Sequence, residues 1–298
     1  MEKNRGNPED TTPGRILMKI NLAKSAGFCS GVKRAITMAL ETAGSREKVY
    51  MLGDIVHNEI VVEAVRRAGI KKIGRLSYGK GKTLLIRAHG SSRAVIEKAL
   101  ARGYRIIDAT CPMVKEIHKI ACEMEKKGYR IIIIGDKKHD EVRGIVGQLK
   151  EKALVIDKPQ NIPLERVKKI RSAGIVVQST QNMDNVKRIL EILRKFIPEV
   201  SFCNTICNPT RIKQEEIKNL PKENSVVIII GSKTSANTKR LYEISHSINP
   251  RSYRVNSAGE IKKSWLKGAE SVGITAGAST PESSIKEVTK KLESIRPF

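Results

Sequence analysis

Three cysteines each stand directly before an amphipathic run that opens with glycine or proline: Cys29 in "SAGFCSGVKRAI", Cys111 in "IDATCPMVKEIHKI" and Cys207 in "NTICNPTRIKQEEI". A thiol at the mouth of a helix meets free backbone N–H groups and the positive end of the dipole, which lower its pKa and ready it as a ligand. Pro112 fits the first helical position, which makes Cys111 the expected N-cap. The spacing excludes local zinc patterns, whose ligands come in close pairs. Cys203 ends the strand-like "VSF" and is read as a bystander; Cys122 lies in mid-helix and is read as a small buried hydrophobe. Three thiolates converging on one point suit a [4Fe–4S] cluster, which normally takes four cysteines, so three leave one iron open to substrate. The plain alternative is three unrelated buried thiols.

A second set of groups gathers in turns. His57 lies in "DIVHNEIV", His89 in "RAHGSS" and His139 in "DKKHDEVRG"; Ser235 and Asn237 lie in "SKTSAN", and Ser279 in "GASTPESS". Thr280 is read as an N-cap and Pro281 as the first helical residue, which sets Ser279 beside exposed N–H groups. Imidazoles, hydroxyls, an amide and helix N-termini compose a phosphate or diphosphate site without a P-loop. Neither the P-loop pattern nor GxGxxG occurs, so a nucleotide cofactor is not supported. Glu141, two residues after His139, is the candidate proton donor, and a dipole-complementing carboxylate is its plain alternative. Ser179 in "VVQSTQN" ends a strand, where α/β active sites gather. His118 and His246 are read as structural.

Positioning these groups falls to a regular alternation. Runs such as "KVYML", "TLLIRA", "RIIIIG", "GIVVQS", "SVVIIIG" and "SVGITAG" read as buried strands, and most are followed by helical stretches such as "SSRAVIEKALARG" and "NVKRILEILRKF". This pattern predicts an α/β protein with largely parallel sheets covered on both faces. The cysteine units recur at intervals of 82 and 96 residues, one small α/β domain each. Three similar domains, each donating a cysteine to a common centre, are therefore expected: 18–111, 112–203 and 204–298. Residues 1–17 read as a polar disordered tail, with Met18 as the natural start.

Fifty-six Lys and Arg against 31 Asp and Glu give a net charge of +25, spread over many helices rather than massed in one stripe. With four Phe and one Trp for base stacking, a basic surface that steers a small anion is preferred to nucleic-acid binding. No apolar run approaches the ~20 residues of a membrane helix. Five cysteines without a secretion signal point to the reducing cytoplasm.

Taken in order, "GFCSGVKRA", "VHN", "AHG", "DATCP", "HDEVRG", "QST", "NTIC", "GSKTSAN" and "TAGAS" resemble the IspH/LytB family, the 4-hydroxy-3-methylbut-2-enyl diphosphate reductases of the non-mevalonate isoprenoid pathway, from about residue 18 to the C-terminus. The resemblance implies a trefoil of three α/β domains around a [4Fe–4S] cluster ligated by Cys29, Cys111 and Cys207. It implies that His57, His89, His139, Ser235, Asn237 and Ser279 hold the diphosphate, that Glu141 supplies protons and that Ser179 orients the substrate oxygen. The implied reaction is a two-electron reductive dehydroxylation yielding isopentenyl and dimethylallyl diphosphates, with ferredoxin or flavodoxin as electron donor. The chain departs from the family pattern at Ser179 for Thr, Ala236 for the second Ser of "SSN", Asp140 for Pro, and at Pro209 and Lys213 in a segment commonly "ATxxRQ". A quinolinate-synthase type of three-cysteine dehydratase and a basic RNA-associated protein with structural cysteines remain as alternatives.

Overall fold

The computed structural model describes residues 18–44 and 47–295, so the expected tail 1–17 lies outside the described residues. The chain opens with β1 (Lys19–Leu22) and α1 (Ser30–Ala43), followed by β2 (Lys48–Leu52), α2 (Glu59–Arg67), β3 (Lys71–Ile73), β4 (Lys82–Ile86), α3 (Arg93–Ala101) and β5 (Arg105–Asp108). A second series runs α4 (Pro112–Lys126), β6 (Arg130–Ile134), α5 (Asp140–Val146), β7 (Leu154–Ile156), α6 (Leu164–Val167), β8 (Ser172–Val177), α7 (Met183–Phe196) and β9 (Glu199–Phe202). The third comprises α8 (Asn208–Glu223), β10 (Val226–Ile230), α9 (Ala236–Ile248), β11 (Ser252–Val255), β12 (Ser271–Ala276) and α10 (Glu282–Ser294). Among the described residues, no helix is long and apolar enough to cross a membrane.

Three four-stranded parallel sheets result, ordered β3-β2-β4-β5, β7-β6-β8-β9 and β11-β10-β12-β1. Their central strands are unbroken apolar runs: Ile131 to Ile134 in β6 and Val226 to Ile230 in β10 are all buried. A parallel strand covered by helices on both faces requires just such a run. Within each sheet the first strand has the second on one side and the third and fourth on the other, one topology used three times.

Sheet pairing corrects the expected extent of the first domain. β1 does not join the sheet that follows it in sequence; it pairs with β12, Lys19 opposite Ser271 and Leu22 opposite Ile274, and completes the third sheet. Without β1 that sheet would have three strands and leave β12 as an open edge, a liability in a buried apolar strand. The fourth strand of every sheet thus leads into a cysteine: β1 to Cys29, β5 to Cys111 and β9 to Cys207. The helix after that cysteine crosses to the next sheet. Ala35 and Ala39 of α1 pack with Val49 and Met51, Ile117 and Ala121 of α4 with Ile131 and Ile133, and Ile217 and Leu220 of α8 with Val227 and Ile229. Each cysteine therefore sits at a joint between two units.

Candidate active site

The threefold repeat also fixes where the other polar groups emerge. In doubly wound sheets ligands bind beyond the carboxyl ends of the strands, where the order reverses, here between the first and third strands. Beyond the first strands come His57, His139 with Glu141, and Ser235 with Asn237; beyond the third strands come His89, Ser179 and Ser279. Together with the cysteines beyond the fourth strands, all of them line one cavity of about 360 Å³. Every site residue expected from the sequence is brought to it.

Three thiols line this cavity. Cys29, Cys111 and Cys207 are the N-cap residues of α1, α4 and α8, with Pro112 and Pro209 in the first helical turns. Cys29 Sγ accepts the Val32 N–H at 3.5 Å, and Cys207 Sγ lies 3.1 Å from Thr210 Oγ1. A Cβ on Gly31 would run into the sulfur of Cys111, so the mouth of α1 comes directly against the thiol of the next helix. The expectation that a helix end lowers the pKa of its thiol is corrected at Cys111 and Cys207. Burial pushes the Cys111 and Cys207 thiols up, outweighing the pull of the Met113, Val114 and Thr210 amides. Desolvation dominates because the thiols sit inside the cavity rather than at a solvated helix end. The donor set fits a metal cluster: three half-buried soft ligands from three elements, none in a disulfide, with the metal replacing protons that burial otherwise retains. Cys203 and Cys122 are outside the cavity; Cys122 is half-buried rather than buried, its thiol 3.7 Å from the Gln148 carbonyl.

Three imidazoles also meet on the cavity wall. Ring centroids of His57, His89 and His139 are separated by 4.4, 5.2 and 5.4 Å. Burial drives all three pKa values down, His139 to about 4 and His89 well below its usual range, so all are neutral at pH 7. Their nitrogens fall within 4.8 Å of one another, close enough to consider a metal ion. His139 favours an anion instead. Its Nδ1 accepts the Glu141 N–H at 3.2 Å, which fixes the proton on Nε2 and leaves a donor there. His57 Nε2, His89 Nδ1 and both polar atoms of the Asn237 amide are buried without partners. Buried polar groups are seldom left so, and unsatisfied ones on a cavity wall point to a polar ligand. Ser235 caps α9 by accepting the Thr238 N–H at 3.3 Å, while Ser279 donates to the His57 carbonyl at 3.1 Å and ties the third unit to the first. The last helix begins one residue later than expected: Pro281 is the N-cap, and Thr280 Oγ1 donates to the Ile230 carbonyl at 3.0 Å. Its hydroxyl serves the strand end rather than the helix.

Glu141 is buried on the wall of the same cavity. The Ser179 N–H and Oγ donate to its two oxygens at 2.6 and 2.7 Å. Burial raises its pKa and the two hydrogen bonds pull it back, leaving a carboxyl that holds its proton above the usual range. Ser179 supplies this hydroxyl as a threonine would. Sequence reading passed over Arg87, two residues before His89, whose Nη1 lies 2.7 Å from Asp140 Oδ2; that carboxylate also stands 3.9 Å from His57 Nε2. Asp140, where the family pattern has proline, thus brings its own cation. The only sequence signal was the chance adjacency of an arginine to "AHG".

The fold and this cavity define a class: an α/β protein of three like units, with soft metal ligands and anion donors lining one shared cavity. The family model for LytB proteins matches residues 20–293. The 4-hydroxy-3-methylbut-2-enyl diphosphate reductases of Aquifex aeolicus and Geobacter metallireducens are each 40% identical, over 94% and 93% of this chain and 97% and 98% of theirs. A solved structure of (E)-4-hydroxy-3-methylbut-2-enyl diphosphate reductase, described as the terminal enzyme of the non-mevalonate pathway, is 39% identical, covers 93% of this chain and all of its own, and superposes with a TM-score of 0.68. The reductase from Plasmodium falciparum is 27% identical over 92% of this chain and 87% of its own, with a TM-score of 0.84. The chain belongs to the LytB family of 4-hydroxy-3-methylbut-2-enyl diphosphate reductases.

Proposed function

We propose that Cys29, Cys111 and Cys207 hold a [4Fe–4S] cluster with one open iron, and that the cavity reduces (E)-4-hydroxy-3-methylbut-2-enyl diphosphate to isopentenyl and dimethylallyl diphosphates. The observation that carries this reading is one cavity lined by three cysteines, by buried polar groups without partners and by a proton-retaining carboxyl. When bound, the cluster supplies electrons singly and a Lewis-acid iron for a hydroxyl leaving group. The remaining work belongs to the side chains. His57, His89 and His139 donate N–H groups to the diphosphate, whose charge favours their protonation as it binds. Asn237 offers its amide and Ser235 its hydroxyl, and Ser279 turns its hydroxyl from the His57 carbonyl to the diphosphate. Holding the diphosphate on these groups fixes the rest of the substrate in the cavity, so remote binding energy orients the reacting carbon. Glu141 gives its proton to the departing hydroxyl, which leaves as water, and Ser179 keeps the carboxyl aimed. Two electrons and two protons enter and one water leaves. Ferredoxin or flavodoxin delivers the electrons one at a time.

The test is anaerobic oxidation of reduced methyl viologen, started by adding the hydroxymethylbutenyl diphosphate. Substrate-dependent bleaching by a brown, iron-loaded protein, abolished in Cys111→Ser, is the expected result. A protein that stays colourless after anaerobic reconstitution with iron and sulfide would overturn the reading.

A further inference from the structure

Each helix that follows a cysteine places its sixth residue against the neighbouring sheet. On α1 that residue is Ala35 and on α4 it is Ile117, both fully buried; on α8 it is Lys213, 2% exposed. Packing alone is met by apolar side chains at the two equivalent positions, so a buried ammonium at the third needs another cause.

Its surroundings supply one. Lys213 Nζ donates to the Ser25 carbonyl and, at 3.2 Å, to the Ala276 carbonyl at the end of β12. Ser25 lies in the turn that carries the chain from β1 to Cys29. The nearby Glu216 is already engaged, accepting from the Lys24 and Ser25 N–H groups at 2.5 and 3.0 Å and from the Ser25 hydroxyl. The ammonium therefore has two carbonyl dipoles and no carboxylate bonded to it. A buried cation so placed is costly unless an anion lies within Coulombic reach. Burial lowers its pKa to about 8, and Cys29 exerts the largest opposing pull, ahead of Glu216. The carboxylate within reach is spent on the Lys24 and Ser25 groups, and a thiolate-ligated iron–sulfur centre would bring a second anion to the ammonium.

We propose that Lys213 is a positioning residue that fixes a positive charge behind Cys29, thereby raising the reduction potential of the iron–sulfur centre and tightening its hold at that corner. This rests on the cluster ligation proposed above. A nearby fixed cation favours the more negative, reduced form of a cluster, and net charge and hydrogen bonding are among the factors that set such potentials. Lysine at 213, where the family pattern has arginine, keeps the charge but concentrates it on one nitrogen.

The experiment is a potentiometric titration of the reconstituted full chain, followed by electron paramagnetic resonance, for wild type, K213R, K213Q and K213M, with iron content measured in parallel. K213Q retains a donor for the Ser25 carbonyl and removes the charge, so it separates charge from bracing and serves where K213M fails to fold. The expected result is that K213R stays at the wild-type potential while K213Q and K213M move to more negative values. A tenfold change in the one-electron reduction constant, about 59 mV, is the shift sought. Lower iron retention is expected in K213M than in K213R. A K213Q potential equal to that of wild type would overturn the proposal and leave Lys213 a structural brace. Wild-type protein that binds no iron would overturn the proposal together with the reading beneath it, a failure distinct from iron-loaded variants with unchanged potentials.

Discussion

Glu141 and Asn237 occupy the same place in two of the three units. Each is the second residue of the helix after the first strand, two positions beyond an N-cap that lines the cavity, His139 in one unit and Ser235 in the other. Both are buried, at 2% and 4% exposure, yet their states are opposite. Glu141 has both oxygens bonded by Ser179, while neither polar atom of Asn237 has a partner. One backbone slot delivers two kinds of group: a proton held in reserve, and an amide left open for something not yet bound. The fold repeats positions, and the residues beside each position decide what it does.

The sharpest break in this comparison is Glu141→Gln, which keeps the shape and removes the proton. Turnover of the iron-loaded enzyme should fall by about 10²–10⁴-fold, with substrate affinity little changed, as read by steady-state viologen oxidation. The same variant should melt higher at pH 7 without the cluster, because a carboxyl with a raised pKa costs stability as pH rises through that value. Asn237→Ala should do the reverse of Glu141→Gln in kinetics: KM rises by about 10–100-fold, the worth of a hydrogen bond to a charged group, while kcat stays near wild type. Its cluster-free stability should be unchanged or slightly improved, since the removed amide satisfied nothing.

Smaller effects test the neighbours. Ser179→Ala deletes one of the two bonds to Glu141, so its carboxyl should hold its proton to still higher pH, and the alkaline limb of the kcat profile should shift upward with about a tenfold loss of rate. The histidine end should show itself in acid. His139 titrates near 4 in the folded chain and near 6.5 unfolded, so the unfolded state binds more protons between those values. Stability of the cluster-free protein, measured by urea denaturation, should therefore decline as pH falls from 6.5 toward 4. Inorganic pyrophosphate should lessen that decline by favouring protonated imidazoles.

Much of this was legible in the sequence because it is local. A cysteine followed by proline, or a histidine after a run of isoleucines, announces its own helix mouth or strand end, and repetition of the pattern revealed three units. What escaped depends on residues far apart. The pairing of β1 with β12 spans nearly the whole described chain and has no local mark. Lys213 reads as one more solvated lysine until the Ser25 turn and the end of β12 are brought over it. The rise in the Cys111 and Cys207 pKa values depends on how deeply the three units close around the thiols, whereas helix position alone argued the opposite sign. Thr280 satisfied every preference of an N-cap, but its hydroxyl joins the Gly277 N–H on the Ile230 carbonyl instead.

The insertion of β12 between β1 and β10 also dictates when the molecule can become whole. A ribosome makes β12 about 250 residues after β1, on the order of 12–50 s later at usual rates of synthesis. The first and second sheets are complete within their own stretches of nascent chain, but the third has no edge for β1 until the C-terminal segment emerges. Closure of the ring thus waits on β12, and a nascent chain that stops short of it, however well folded its early units, has its first cysteine on a strand without a sheet.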